Sequence, residues 1–512
     1  MKNITCQHVV IIGAGFGGLA AAALLAETGM KVTVIEKNKD LGGRARVWES
    51  KGYRFDMGPS WYLMPDVFEH FFGLVGVDIK AELAIKRLSP SYRVFLPNNQ
   101  KPVDMYSDVD RDGDTLDLLW PGSGQALRRY MKTSKSHYDR SLRSFMLRNA
   151  DTFFHYMTWE TMRDGWGLPV LISMEKHLSK WFPNDTVRRF LAYQTLFLGN
   201  APKETPGVFS AMNYVDYAMG VHYPEGGIAS IVNLLAETAV AKGACVLTGA
   251  AVTTIRVERG RASGVILEDG QTIACDIVVA NADYHHVETT LLTKPSQTYP
   301  EDYWNKKRPA PSAAILYLGL TCSAPLLQHH TLLFPQDWDK SFSELFSGHD
   351  LPSDPSIYIC CPSKTDPSVA PEGATNLFIL MPTPTGVEWT DSLREQCEAR
   401  LLTLLESQFG FSNITQHIAV KRFYCGPDFK SDYNAWKSNA LGGMAHTLGQ
   451  SSFMRPAARS KRVKNLFYVG AGTNPGIGMP MCLLSAEMLV KRLFAISSPG
   501  MLPKLPKVRP AK

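Results

Sequence analysis

Glycines near the N-terminus are spaced so that they could hold a phosphate group against the backbone. Gly13, Gly15 and Gly18 fit the pattern GxGxxG. In such a loop the first glycine permits a tight turn, the second lets a pyrophosphate approach the backbone, and the third lets a helix pack closely on a strand. The following helix directs free N–H groups and a positive dipole end at the phosphates. The spacing therefore predicts a site for a bound dinucleotide.

The elements around these glycines fit that prediction. His8 to Ile12 is a short apolar run, typical of a strand buried on both faces. Leu19 to Thr28 is rich in Ala and Leu and predicts a helix that ends at Gly29. Lys31 to Lys37 predicts a second strand, with Glu36 near its end. An acidic residue about 20 residues beyond the first glycine accepts hydrogen bonds from the adenosine ribose, and we expect this role for Glu36.

Two further glycine segments follow directly. Residues 40–44 have the sequence DLGGR and residues 56–60 the sequence DMGPS. Their glycines permit close approach of the backbone to a dinucleotide, and Arg44 supplies a guanidinium able to pair with a pyrophosphate. In isolation GGR would indicate a turn with a solvated arginine, whereas directly after a strand–turn–helix–strand unit it indicates a second contact with the same ligand.

The same fold pattern returns twice later in the chain. YPEGG at 223–227 introduces a predicted helix to Ala241, followed by strands and a hairpin with an Asp269-Gly270 turn, and IVVA at 277–280 predicts another strand. Residues 465–469 predict a strand that enters the glycine-rich turn 470–480, with a helix from about Met481 to Leu493. We therefore predict an α/β fold with a Rossmann-like domain of discontinuous segments, 1–75, 223–283 and 441–496, and an α+β domain from 76–222 and 284–440.

Composition indicates a globular protein. Of 512 residues 45% are hydrophobic and 20% charged, and the nine scattered cysteines include no CxxC pair, which predicts a reducing, cytoplasmic compartment and no metal site. The uncharged run from Val9 to Ala26 contains too many glycines for a signal peptide or a membrane span. Any membrane association would then be peripheral.

The net charge of +6 equals the charge of the C-terminal end, because no acidic residue follows Glu487. The proline-rich segment 497–512 predicts a solvated, poorly ordered tail. The alternative is a contact between its basic residues and anionic lipid headgroups.

The regions between the dinucleotide segments are rich in aromatic residues and methionine, for example FFHYMTW at 153–159 and WF at 181–182. Such clusters are most often ordinary core. The functional alternative is an apolar tunnel with apolar surface exposed to lipid. These regions contain no paired carboxylates, no His/Cys metal spacing and no GxSxG motif.

Several of these motifs resemble a known family. GGR after the Rossmann unit resembles the flavin amine oxidase and carotenoid desaturase superfamily, with its GR2-type flavin domain. The segment GAGTNPGIGMP at 470–480 is similar to the Gly-x-x-Thr-His-Pro-Gly-x-Gly signature of bacterial and fungal phytoene (carotenoid) desaturases. YPEGG at 223–227, ANAD at 280–283 and HTLGQSSFMRP at 446–456 match in order, so that the resemblance covers nearly the whole chain.

The resemblance implies FAD as hydride acceptor, a long apolar isoprenoid polyene as substrate, peripheral contact with a membrane, and no nucleic acid partner; a homo-oligomer is left open. It places a valine backbone contact to adenine at Val252, and it leaves the catalytic residue unknown, with His446 a weak candidate. The residues that we assign to FAD, from the patterns and the resemblance together, are Gly13, Gly15, Phe16, Gly18, Glu36, Lys37, Gly43, Arg44, Gly58, Pro59, Ser60, Val252, Gly470, Gly478 and Met479.

Two departures from the family pattern leave the substrate open. Asn474 stands where histidine is common, and Ala445 precedes His446 where many relatives have glutamate. The prediction is a carotenoid desaturase, with phytoene or its C30 counterpart as substrate. The alternatives are a carotenoid isomerase, a flavin amine oxidase, or a binding protein that escorts prenylated GTPases. Cys482 lies beyond the turn and does not match the flavin-tethering cysteine of many amine oxidases.

Overall fold

The computed structural model describes residues 6–97 and 101–508. The strands are β1 (His8–Ile12), β2 (Lys31–Ile35), β3 (Val47–Ser50), β4 (Tyr53–Asp56), β5 (Ile85–Arg87), β6 (Tyr92–Phe95), β7 (Val103–Met105), β8 (His222–Pro224), β9 (Cys245–Leu247), β10 (Val252–Glu258), β11 (Arg261–Leu267), β12 (Thr272–Ala274), β13 (Ile277–Ala280), β14 (Ser312–Leu320), β15 (His330–Leu333), β16 (Ile357–Cys360), β17 (Thr375–Thr383), β18 (Ile418–Tyr424) and β19 (Leu466–Tyr468). The helices are α1 (Phe16–Glu27), α2 (Pro65–Leu74), α3 (Ile79–Glu82), α4 (Val109–Leu119), α5 (Ser123–Ser141), α6 (Trp159–Gly165), α7 (Met174–Ser179), α8 (Asp185–Ala192), α9 (Ala211–Tyr214), α10 (Ile228–Ala241), α11 (Tyr284–His286), α12 (Glu301–Trp304), α13 (Trp338–Ser347), α14 (Asp391–Phe409), α15 (Gly426–Tyr433) and α16 (Met479–Leu493).

A five-stranded parallel sheet is built from three distant parts of the chain. Its strand order is β19-β13-β1-β2-β9, and β1 pairs in parallel with both β2 and β13. The strands are short and apolar because both faces of the sheet are covered, one by helices α1, α10 and α16 and the other by the three-stranded sheet β10-β11-β12. This arrangement confirms the predicted α/β, Rossmann-like fold.

Helix α1 is the centre of one covering layer. It packs on α10 and α16, and its residues from Phe16 to Ala26 are all buried. The run of alanines keeps its surface smooth enough for this contact on several sides. The helix begins at Phe16, three residues before the predicted start at Leu19, because Gly15 caps it directly.

A second, seven-stranded sheet lies in the remainder of the chain. Its order is β18-β14-β17-β16-β15-β6-β7, and all pairs are antiparallel except β6 with β15. The central strand β14 is buried along its whole length. The predicted α+β character of this region is confirmed by the sheet together with helices α4–α9.

The C-terminal segment differs from the expected solvated tail. Leu502 and Leu505 are buried against the layer of α1 and α16. The backbone N–H of Leu502 donates to Glu487 Oε1, and Lys507 pairs with Glu27. The prediction of a solvated tail considered its basic and proline residues only. The two leucines of the segment supply the apolar surface that docks it. Lys512 and its three preceding residues lie outside the described residues.

In the described part of the chain, no helix combines the length and the apolar character that a bilayer crossing requires.

Candidate active site

One large cavity joins the two sheets. Its volume is about 1210 Å³, above the roughly 300–1,000 Å³ of ordinary ligand pockets. Dinucleotide-segment residues such as Gly13 and Glu36 line it, and so do aromatic residues such as Phe197 and Phe334. The cavity therefore has space for more than one ligand.

The turn after β1 forms the first wall. Gly13 has a φ of +96°, a conformation that favours glycine. A Cβ on Gly18 would lie 2.1 Å from the carbonyl oxygen of Gly13, so only glycine allows α1 this close to β1. Gly15 and Phe16 line the cavity. The three glycines thus occupy the positions that their spacing predicted.

Glu36 lies beyond the carboxyl end of β2, which is where ligands bind in open parallel sheets. Its Oε2 accepts a hydrogen bond of 2.8 Å from Ala14 N, and its Oε1 accepts 2.9 Å from Asn38 N. The carboxylate is buried and lines the cavity. These two backbone donors hold the carboxylate in place on the cavity wall.

Arg44 connects two dinucleotide segments. Its Nε donates to the carbonyl of Ala440 at 2.8 Å, and its guanidinium lies over the ring of Tyr433 at 5.0 Å. Burial lowers the pKa of Arg44, while Asp283 opposes that shift. The side chain remains a cation, since arginine does not deprotonate in proteins. It is therefore suited to an anionic ligand in the cavity.

Lys37 and the DMGPS segment complete this end of the site. Lys37 Nζ donates to Ser431 O at 2.7 Å, and burial lowers its pKa. A Cβ on Gly58 would lie 2.4 Å from Arg44 O, so the two loops require glycine where they meet. Pro59 and Ser60 follow on the cavity wall.

The third glycine segment lies beside the first, because a Cβ on Gly17 would lie 2.9 Å from Gly470 Cα. Gly478 and Met479 line the cavity at the N-terminus of α16. Gly470 does not line it, and a Cβ there would meet Asn281 Oδ1 at 2.6 Å. Val252, on β10, lines the cavity near the Glu36 end. Of the fifteen residues predicted to contact the cofactor, all but Gly18 and Gly470 line this one cavity. Those two glycines lie behind the wall, where they allow close packing against Gly13 and Asn281.

His446 lies on the cavity wall but is engaged elsewhere. Its Nδ1 bonds to the carbonyl of Leu198 at 3.0 Å, which fixes the ring proton on that nitrogen. Burial, together with the nearby Arg455, lowers the pKa of His446 to about 3. The ring is therefore neutral at physiological pH and connects the loop before α9 to the glycine turn. This geometry favours a structural role.

Residues that sequence reasoning did not single out also shape the site. Asp56 accepts hydrogen bonds from Ile228 N and Ala229 N at 2.8 and 3.1 Å, and so caps α10. Trp61 lies between the rings of Phe197 and His330 on the apolar side. DMGPS gave no signal for this role of Asp56, because the helix whose N–H groups it accepts from begins 172 residues later in the sequence. The partners of Trp61 lie far away in sequence and gave no signal.

The remaining wall is apolar. It is formed by side chains that include Phe145, Met146, Leu196, Phe197, Val208, Met212, Leu332, Phe334, Trp338 and Ile357. The carboxylates that line the cavity within the described residues, Glu36, Glu268, Asp283 and Asp432, belong to segments around the dinucleotide end. This half of the cavity offers apolar surface to a ligand and no carboxylate.

One stretch beside the cavity exposes its apolar side chains. We call residues 153–171 the apolar patch. Trp166 is 85% exposed and Leu171 87%, and the same stretch exposes Phe153, Phe154, Met157, Trp159 and Met162. Phe153 and Val170 also line the cavity. The cavity therefore reaches the surface at the apolar patch.

Comparisons with known proteins agree with this site. Residues 16–493 match the family described as flavin containing amine oxidoreductase. The chain is 38% identical to a carotenoid 3,4-desaturase of Haloarcula japonica, over 96% of this chain and 99% of the relative. It is 32% identical to a zeta-carotene-forming phytoene desaturase of Myxococcus xanthus, over 95% of this chain and 94% of the relative.

Solved structures share the fold at low identity. An oxidoreductase from Methanosarcina mazei superposes with a TM-score of 0.63 at 17% identity, covering 94% of this chain and all of that one. Cyclohexylamine oxidase from Brevibacterium oxydans gives 0.58 at 14% identity, covering 96% and 99%. The glycine turns, the buried Glu36 and the size of the cavity fit a flavin dinucleotide, and FAD is the cofactor. The chain belongs to the flavin-containing amine oxidoreductases and, among them, to the carotenoid and phytoene desaturase family.

Proposed function

We propose that this protein is an FAD-dependent desaturase that introduces C=C bonds into a long, apolar carotenoid chain. The observation that carries the proposal is the continuity of the cavity, which has dinucleotide-binding glycines at one end and an apolar, carboxylate-free wall at the other. A hydrocarbon offers no polar group to bind, so apolar walls must hold it in register. The relatives with 38% and 32% identity carry carotenoid desaturase names.

When bound, FAD would supply a hydride acceptor, which is the difficult part of the chemistry. The chain supplies position and a dry site. Gly13, Gly15 and Arg44 would hold the pyrophosphate, Glu36 the ribose, and Val252 the adenine. Gly478 and Met479 would lie at the flavin, where the N-terminus of α16 favours negative charge.

The apolar, carboxylate-free wall of the cavity also disfavours an amine oxidase. A protonated amine requires a carboxylate or an aromatic cage with a polar partner, and the apolar half has no carboxylate among the described residues. An isomerase would use a similar cavity, and the experiment below separates it, because isomerisation leaves the mass of the substrate unchanged.

Substrate access supports a peripheral membrane location. The apolar patch surrounds the point where the cavity reaches the surface, and Trp and Phe side chains favour the interface of a bilayer. A carotenoid dissolved in lipid could then enter the cavity without crossing water. A cytoplasmic compartment stays a prediction from the nine free cysteines. The proposed division into a flavin domain (1–75, 223–283, 441–496), a substrate domain (76–222, 284–440) and a C-terminal segment (497–512) assigns this patch to the substrate domain.

The test is expression in hosts that accumulate phytoene, its C30 counterpart, or a partly desaturated carotenoid. We expect a product that has lost hydrogens in pairs, seen as a lower mass and absorption at longer wavelength. A change of absorption at constant mass would instead identify an isomerase. No change in any host, with FAD bound, would contradict carotenoid chemistry.

A further inference from the structure

A chain of hydrogen bonds leads from the cavity wall into the second sheet. Ser60 Oγ lies 2.5 Å from Tyr358 Oη, and Tyr358 Oη lies 2.8 Å from Nδ1 of His330. Ser60 and Tyr358 line the cavity, whereas His330 is fully buried behind them. Since β15 begins at His330 and β16 carries Tyr358, neighbouring strands fix this alignment.

A second histidine lies behind His330. The ring of His329 lies 4.5 Å from that of His330, centre to centre, and Nδ1 of His329 lies 2.7 Å from Thr365 Oγ1. The Nε2 atoms of both histidines are buried and have no hydrogen-bond partner within residues 6–97 and 101–508. The two imidazoles therefore pack edge to face without a hydrogen bond between them, and the hydrogen-bonded chain from the cavity ends at His330.

The surroundings keep these rings neutral at rest. Burial lowers the pKa of His330 well below its ordinary value, and it lowers the pKa of His329 to about 3. Trp61 stacks on His330 at 4.9 Å, which fixes the ring plane. A neutral imidazole that accepts from Tyr358 at Nδ1 carries its proton on Nε2. It has one lone pair pointed at the cavity side and one N–H pointed away.

Cys360 stands beside the two histidines, and one ligand atom of each of the three lies within 4.8 Å of the others. Burial raises the pKa of the Cys360 thiol well above its ordinary value. The Cys360 side chain is therefore a neutral thiol beside the two histidines.

We propose that Ser60 and Tyr358 accept the proton that the carotenoid loses on desaturation and pass it to Nδ1 of His330. This inference rests on the proposed function. Breaking two neighbouring C–H bonds releases a hydride, for which bound FAD would be the acceptor, and a proton. The proton binds to the Ser60 oxygen as the Ser60 hydroxyl proton moves to Tyr358 and the Tyr358 proton moves to His330 Nδ1. His330 then holds the proton as an imidazolium. A weakly basic imidazole suffices, because a carbon next to a developing cation is strongly acidic.

The experiment measures flavin reduction by carotenoid in liposomes, without oxygen, in a single turnover. We expect Tyr358→Phe and His330→Gln to slow flavin reduction on the order of a hundredfold, the range of general acid–base catalysis, and to abolish its solvent deuterium isotope effect. Tyr53→Phe is the matched control. It removes a buried tyrosine hydroxyl bonded to Leu320 O at 3.1 Å, away from the cavity, and should leave the rate and the isotope effect unchanged.

A second measurement does not depend on turnover. Nitrogen-15 NMR of labelled histidines should show His330 protonated on Nε2, and Tyr358→Phe should shift its Nδ1 resonance. Rates of Tyr358→Phe and His330→Gln equal to wild type would overturn the relay alone, as would a stoichiometric metal that both histidines bind. A wild-type protein that retains FAD but is reduced by no carotenoid would overturn the proposed function and the relay together.

Discussion

The Nδ2 atom of Asn281 donates a hydrogen bond of 3.2 Å to the carbonyl oxygen of Gly13. Asn281 follows β13 and Gly13 follows β1, two neighbouring strands of the parallel sheet. The same carboxamide lies where any Cβ on Gly15, Gly17 or Gly470 would meet it. One side chain therefore fills the space between all three dinucleotide segments and holds their backbones in register.

Replacing Asn281 should weaken the cofactor site more than the fold. In Asn281→Ala the Gly13 carbonyl loses its partner and the three glycine loops lose their spacer. We expect the dissociation constant of FAD to rise about tenfold, since a lost buried hydrogen bond costs about 1–3 kcal/mol. Flavin fluorescence on release measures it. The control is Asn184→Ala. It removes the side-chain oxygen that accepts from Val187 N at the start of α8, and it should leave FAD affinity unchanged.

Alanine at two of the glycines should have different effects. A Cβ on Gly18 meets the backbone oxygen of Gly13, so Gly18→Ala must move α1 and should lower the free energy of unfolding by several kcal/mol. A Cβ on Gly15 meets the side chain of Asn281 at 2.9 Å and can be accommodated. Gly15→Ala should therefore remain folded. It should nevertheless lose FAD, because its methyl group would lie where the pyrophosphate approaches the backbone. Chemical unfolding measures the stability of each variant, and flavin absorbance measures its bound FAD. If Gly15→Ala and Gly18→Ala behaved alike in both assays, the different roles assigned to these two glycines would be disproved.

The apolar patch should be sensitive to acid through Asp164. Arg143 and Arg163 hold the pKa of this carboxyl well below its usual value, and Ser144 also donates to it. Its contribution to stability is present above the unfolded pKa of about 3.9 and is lost as pH falls towards the folded pKa. Asp164→Asn should speed proteolysis within 153–171 at pH 7 and should differ less from wild type as pH falls below about 4. A difference independent of pH would show that charge is not the cause.

Charge in the apolar patch should reduce membrane binding. Trp166 and Phe154 are 85% and 77% exposed, so the double change Trp166→Glu with Phe154→Glu has little effect on the core. Each buried aromatic side chain lost from the lipid interface removes about 1–3 kcal/mol of transfer free energy. We expect liposome sedimentation to fall at least tenfold. The matched control is Val240→Glu, an exposed apolar residue on α10, which should bind as wild type.

The C-terminal segment should contribute to stability rather than act as a free tail. Leu502 is 3% exposed and Lys504 is exposed. Leu502→Asp should lower the free energy of unfolding by about 2–4 kcal/mol, as for loss of a core leucine. Lys504→Asp should leave it unchanged. Thermal unfolding of both variants tests this, and equal melting temperatures would mean that the segment does not dock in solution.

The sequence by itself determined the dinucleotide end of the protein. GxGxxG, Glu36 and the strands around them are local signals, because a tight turn, a buried parallel strand and a helix start each depend on a few adjacent residues. Only the boundaries differed, as where α1 begins at Phe16 instead of Leu19. Local motifs also singled out Gly43, Gly58 and Gly478, whereas the pairing of β1, β13 and β19 in one sheet is what brings these segments to the same cavity.

Tertiary structure alone decided the apolar end. The aromatic residues near 153 and near 181 have similar composition, yet Phe154 is 77% exposed and Phe182 is fully buried. Composition cannot distinguish them, since exposure depends on which distant elements cover each side chain. The hydrogen bond between Ser60 and Tyr358 likewise joins residues that lie 298 positions apart in sequence. Docking of Leu502 depends on the helices α1 and α16, which come from the two ends of the chain and pack together only in the folded protein.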